Sequence, residues 1–136
     1  MPNKEVLSFC ALMLLSGPAL AQDFALTEGA PAGVMSDLAS GGAIDRVRSW
    51  SGNVDGQGGP DLIVQVAYAT GGNSVNLQHF VYGGSPLRRT HELSLDQAGI
   101  AAVRRVGGQV EIIKNVYRSG DRRCCPTGRE AVRFSF

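Results

Sequence analysis

The 136-residue chain holds two histidines, three cysteines, one tryptophan and almost no lysine, since eleven of its thirteen basic residues are arginine. Two histidines exclude an all-histidine zinc site, which needs three such ligands. Aromatic residues make up 7% of the chain and few stand between the arginines. The stacking platforms that nucleic acid requires are therefore missing. Catalytic patterns are missing as well: Ser74, His79 and Asp96 supply the residue types of a hydrolytic triad, but no nucleophile elbow or oxyanion glycine pattern accompanies them. Both histidines are expected to be half-buried and hydrogen-bonded. No catalytic residue and no obligatory cofactor is assigned.

Long hydrophobic runs are also scarce. The one near the start, Leu7 to Leu15, falls short of the roughly 20 apolar residues of a membrane span and is broken by Gly17-Pro18. With Lys4 before it and Ala19-Leu20-Ala21 after it, Met1–Ala21 has the layout of a secretory signal peptide cut before Gln22. The expected mature protein is residues 22–136, a single exported domain, periplasmic or extracellular, with no membrane span after cleavage. Its size suffices for one real core.

The charge is unevenly spread. Residues 22–61 carry six acids against Arg46 and Arg48, whereas residues 62–136 carry ten bases against five acids. The densest basic stretch is Arg118, Arg122, Arg123, Arg129 and Arg133. Such a patch suits an anionic partner, although a solvated face partly neutralised by the acidic first third is the plainer reading.

Residues 22–42 are rich in Ala, Gly and Pro, with one short helical piece at 34–39 ended by Ser40-Gly41-Gly42. From Ile44 the period becomes two. Strands are expected over 44–50, 62–68, 75–82, 87–95, 100–106, 109–117 and 130–136, with 62–68 central. Gly107-Gly108 is a two-residue hairpin signal. Short strands with Gly-rich turns predict a mainly β domain, largely antiparallel, as a single sheet or a small sandwich with a minor N-terminal helical segment. The closing Phe134-Ser135-Phe136 reads as core packing from an alternating strand.

Two constellations could carry chemistry. Asn53, Asp55, Gln57 and Asp61 stand at positions one, three, five and nine of a glycine-rich loop, the spacing of a calcium loop. The stretch resembles a degenerate version of the calcium loops of β-propeller repeats and dockerins. Only two of the four are carboxylates, and Val64 stands where an EF-hand has its closing Glu, so the alternative is a turn whose side chains cap their own backbone. The second constellation is Cys124-Cys125-Pro126. Cys10 leaves with the leader, so no distant partner exists for either cysteine. A vicinal disulfide, a bond to another chain and free thiols all remain open. Neighbouring Cα atoms across a trans peptide are closer than in ordinary disulfides, so a vicinal bridge is strained. Arg122 and Arg123 would favour thiolate in the reduced pair. A soft-metal site from the two thiolates and His79 or His91 lacks anything to bring those histidines near.

The run from Asp55 to Phe136 resembles a family of small exported bacterial proteins that includes the LppP/LprE lipoproteins. The resemblance rests on the Asn53–Val66 loop and strand, Gly71-Gly72, Gly120-Asp121, the Cys124-Cys125-Pro126-Thr127 motif and a final strand. It implies an exported β-rich domain and no particular activity. Members often carry a cysteine in the strand before the Gly-Gly, where Val66-Ala67-Tyr68-Ala69 has none. No lipobox surrounds Cys10. The expected function is a non-catalytic binding or envelope-associated module that meets an anionic envelope component or another exported protein through Arg118, Arg122, Arg123 and Arg129 around the cysteine turn. A thiol- or redox-active protein using Cys124 and Cys125, and a weak calcium-binding module at Asn53–Asp61, are the alternatives.

Overall fold

Leu62–Tyr68 is apolar on both sides of the strand because both sides are covered. In the computed structural model, which describes Ala21–Phe136, this run lies in the middle strand of a five-stranded sheet. The expected leader, save Ala21, and Cys10 lie outside the described residues. The elements are β1 (Gln22–Asp23), β2 (Ala25–Glu28), α1 (Ala32–Ala39), β3 (Ile44–Gly52), β4 (Asp61–Ala69), β5 (Val75–Gly83), β6 (Arg88–Leu93), β7 (Ile100–Val106), β8 (Gln109–Val116) and β9 (Gly128–Phe134). They form two antiparallel sheets, ordered β2-β3-β4-β5-β6 and β1-β7-β8-β9. Of the two architectures expected, the two-sheet one is formed.

Ile63, Trp50 and Val81, directly opposite one another in register, pack against Ile100, Val103, Val110 and Ile112 of the second sheet. Phe134 and Phe136 join this cluster as expected. The alternate residues Leu62, Val64, Val66 and Tyr68 face the other way, where Val34 and Leu38 of α1 cover them. Four residues apart, these two share one helix face. The Tyr68 hydroxyl donates to the Leu38 carbonyl at 2.7 Å, and Tyr82 donates to the Asp37 carboxylate. Arg89 pairs with Asp37 at 2.9 Å and lies 3.8 Å above the Phe80 ring. The Tyr82 hydrogen bond, followed by the Arg89 charge, holds the Asp37 carboxyl below its ordinary range. Burial, with Asp37 second, pushes the Tyr82 phenol up to about 12. An eight-residue helix has little stability of its own, and these side-chain ties are what hold it on the sheet.

The first residues were not expected to form strands. Instead they contribute one edge strand to each sheet: β1 pairs with β7 and β2 with β3. Between them buried Phe24 crosses from one sheet to the other, its N–H donating to Val103 O at 2.9 Å. Gly52 makes room for it, because a Cβ there would lie 2.7 Å from the Phe24 ring. At the Gly107-Gly108 hairpin only Gly107 takes positive φ (61°), the pattern of a type II′ turn. Strand β9 begins at Gly128, two residues earlier than its pattern indicates.

The sandwich interior contains one polar tie. The side-chain oxygen of Gln65 accepts the Ile100 N–H at 2.7 Å, from the opposite sheet, and lies 3.1 Å from His79 Nε2. The oxygen is thus an acceptor from both sides, which makes Nε2 the protonated nitrogen of a neutral ring. His79 is fully buried rather than half-buried, and burial lowers its pKa to about 4. The unfolded chain therefore takes up a proton near pH 6.5 that the folded chain refuses until about pH 4. Stability is complete above that window and declines as pH falls through it, by roughly 3 kcal/mol from this residue. Urea unfolding at pH 7.5 and 4.5 should give a larger loss for the native chain than for His79→Gln. Equal losses would refute a neutral buried ring.

Candidate functional site

The loop between β8 and β9, residues 117–127, carries the cysteine pair and most of the singled-out arginines. Asp121 closes its neck. Its Oδ2 accepts the N–H groups of Arg118 (2.7 Å) and Thr127 (2.8 Å), and its Oδ1 accepts the Thr127 hydroxyl at 2.8 Å. These backbone donors, led by Arg118, hold the Asp121 carboxyl below its ordinary range. A carboxylate bound across two backbone donors is a tie that the neutral acid makes poorly. Inside the loop, the Cys125 N–H donates to Arg122 O at 2.9 Å, and the Tyr117 hydroxyl donates to Arg123 O.

Cys124 and Cys125 are exposed, with their sulfurs at disulfide distance. Of the three states left open by the sequence, the vicinal pair is the one adopted. Arg118, Arg122, Arg123 and Arg129 are all exposed, and none is ion-paired with a described carboxylate. Arg129 donates only to the neighbouring Gly128 carbonyl. Arg133 behaves differently. On the outer face of the second sheet it stands beside Glu111, which also takes Arg104 from the other side, at 2.9 and 2.6 Å. The acidic first third does not neutralise the loop: Glu28 pairs with Arg46 and Arg48, and Asp37 with Arg89.

Beside the cysteines runs a groove of about 520 Å³ whose lining includes Val75, Leu77, Gln97, Tyr117, Arg123 and Cys124. Tyr117 and Val75 are two of the three exposed large hydrophobic residues among those described, Tyr117 at 61% exposure. Sequence reasoning did not single them out, since each looks like an ordinary strand residue. Gln97 stands in the groove because β6 stops at Leu93. Its side chain donates to Leu77 O and accepts the Leu77 N–H, at 3.0 and 2.8 Å, in place of a strand neighbour.

The calcium-type loop lies at the opposite end of the sandwich, where β3 leads into β4. Asn53 Oδ1 accepts the Gly56 N–H and Asp55 Oδ1 the Gln57 N–H, both at 2.8 Å, and Asp61 Oδ2 accepts the Val54 N–H at 3.1 Å. Arg105 donates to the carbonyls of Asn53 and Val54. Three of the four expected ligands thus cap their own loop, as short polar side chains do in tight turns. Gln57 is exposed, and no group of three His, Cys, Asp or Glu side chains placed to hold a metal occurs among the described residues. The histidines do not join the cysteines: His79 is held by Gln65, and His91 is exposed, 2.9 Å from Thr90 Oγ1 and edge-on to Phe136. Ser74 is hydrogen-bonded within its own turn to Thr70, so no triad with His79 is assembled.

Replacing the Asp121 carboxylate should open the loop without unfolding the sandwich, because the tie is local. Asp121→Ala should be cut by trypsin after Arg122 or Arg123 several-fold faster than the native protein, with an unchanged far-ultraviolet spectrum. An unaltered cleavage rate would mean the loop is held by something else. No protein-family model, curated protein or solved structure matches this chain.

Proposed function

We propose that the chain, an exported β-rich domain as its resemblance to the LppP/LprE proteins implies, is a non-catalytic binding module whose β8–β9 loop meets an anionic envelope component. The observation that carries this reading is the set of four exposed arginines without carboxylate ion pairs among the described residues, three on a loop tied at its neck and Arg129 just after it. Guanidinium groups give bidentate hydrogen bonds to phosphate and carboxylate. Free of such ion pairs, they break no salt bridge on binding. A tied loop also has less conformational freedom to lose than an open one.

Cosedimentation with vesicles tests this. Binding is expected to vesicles rich in phosphatidylglycerol, to be weak on phosphatidylcholine, and to fall as salt is raised. At about 1 kcal/mol per arginine near an anionic surface, Arg122→Gln with Arg123→Gln should reduce partitioning by roughly tenfold or more. Equal binding to both vesicle types, or an unaffected double variant, rejects the reading.

The exposure of both cysteines supports a second reading, a thiol-exchanging protein. It expects a mild reductant to expose two alkylatable thiols in the folded chain, and any exchange activity to be lost in Cys125→Ser while the arginine variants retain it. A pair that stays closed until the protein unfolds would count against it.

A further inference from the structure

Away from the basic loop, the sandwich opens at its other end into a pocket of about 410 Å³ between the β3–β4 loop and the β5–β6 turn. Its walls are mainly apolar, built by Val54, Val81 and Phe136. Asp61 interrupts them. This residue is 6% exposed, yet only one of its two carboxylate oxygens is used: Oδ2 accepts the Val54 N–H. Oδ1 has no hydrogen-bond donor among the described residues. Arg88 and His91 also line the pocket, but neither forms an ion pair with Asp61. Asp55 adds a second carboxylate to the lining, against the single guanidinium of Arg88.

The wall opposite Oδ1 is cut away. A Cβ at position 83 would lie 3.0 Å from that oxygen, and Gly83 has none. A nearly buried residue thus keeps one carboxylate oxygen without a protein donor, open to the pocket between apolar walls. An oxygen so placed can accept a positive or strongly donating partner. A calcium ion fits poorly, because it wants six to eight oxygens and no group of three Asp, Glu, His or Cys side chains gathers among the described residues. An ammonium group needs fewer acceptors, and an apolar body attached to it would cover Val54, Val81 and Phe136.

We propose that this pocket binds a small organic amine, its ammonium on Asp61 Oδ1 and its apolar body against Val81 and Phe136. Asp61 then has two roles: it closes the β3–β4 loop through one oxygen and receives the ligand through the other. The site is independent of the basic loop, so either assignment can fail alone.

The test uses 2-phenylethylamine and its neutral counterpart 2-phenylethanol, titrated into the folded protein and followed by ¹⁵N–¹H NMR. The amine should shift the amides of Val54, Asp61 and Gly83. A charge-assisted hydrogen bond in place of a neutral one should make it bind about tenfold more tightly than the alcohol. Asp61→Asn keeps an acceptor for the Val54 N–H while removing the charge, and should bring the amine down to the alcohol's affinity without changing the alcohol's own. Gly83→Ala should weaken the amine from the opposite wall. Equal binding of amine and alcohol overturns the proposal, as does an amine preference that survives Asp61→Asn, or saturation without shifts at those amides. The amine-to-alcohol ratio is read on the native chain, so it decides the matter even if a variant fails to fold.

Discussion

The two sheets meet through apolar side chains almost everywhere, and such contacts alone would tolerate a slide of one sheet over the other. The Gln65 side-chain oxygen removes that tolerance. It accepts the Ile100 backbone N–H across the sandwich and the His79 ring N–H along its own sheet. A buried donor left unmade costs about 1–3 kcal/mol, so displacing either sheet by one residue breaks the Ile100–Gln65 bond and strands the N–H of a buried residue. This contact sets β4 against β7, and with them which loops gather at each end. Its polar atoms are few, but they convert a greasy contact into a specific one.

From that alignment follows a division of the molecule. One end collects the β4–β5 turn, the β6–β7 connection and the β8–β9 loop, and there the unpaired arginines, Tyr117 and the cysteine pair stand together. The other collects the β3–β4 loop, the β5–β6 turn and Phe136 around Asp61. The basic loop and the Asp61 pocket are thus held apart by the length of the strands. Between them, on the second sheet's outer face, Glu111 is shared by Arg104 and Arg133.

Strand positions were legible because the alternation of apolar residues and the glycine-rich turns are local signals. Partition into two sheets was not, since pairing of β1 with β7 joins residues far apart in the chain. Gln22–Glu28 escaped notice for a related reason: its two edge strands are only two and four residues long, too short for an apolar period to repeat. The cysteine pair and the basic stretch were plain in the sequence, but which arginines lack a counter-charge was not. Arg133 and Arg129 look alike as letters and differ because cross-strand register puts Glu111 beside only the first. Asp61 was noticed for only some of its neighbours. Its place in a calcium-like spacing drew attention to Asn53 and Asp55, while Gly83 and Phe136, which define its surroundings, lie too distant in sequence for any spacing rule.

The Phe24 crossing bears on when the fold can be completed. The residue that bridges the sheets is among the first in the domain, yet its backbone partner Val103 and the strand holding it are among the last to be made. Closing so long a loop is entropically slow, and folds dominated by distant pairings form slowly. Until β7 arrives, β1 has nothing to pair with and the sandwich has no seam. A nascent chain with this topology stays open during synthesis and shuts only when nearly whole, a delay that suits a polypeptide proposed to pass through a membrane before it folds.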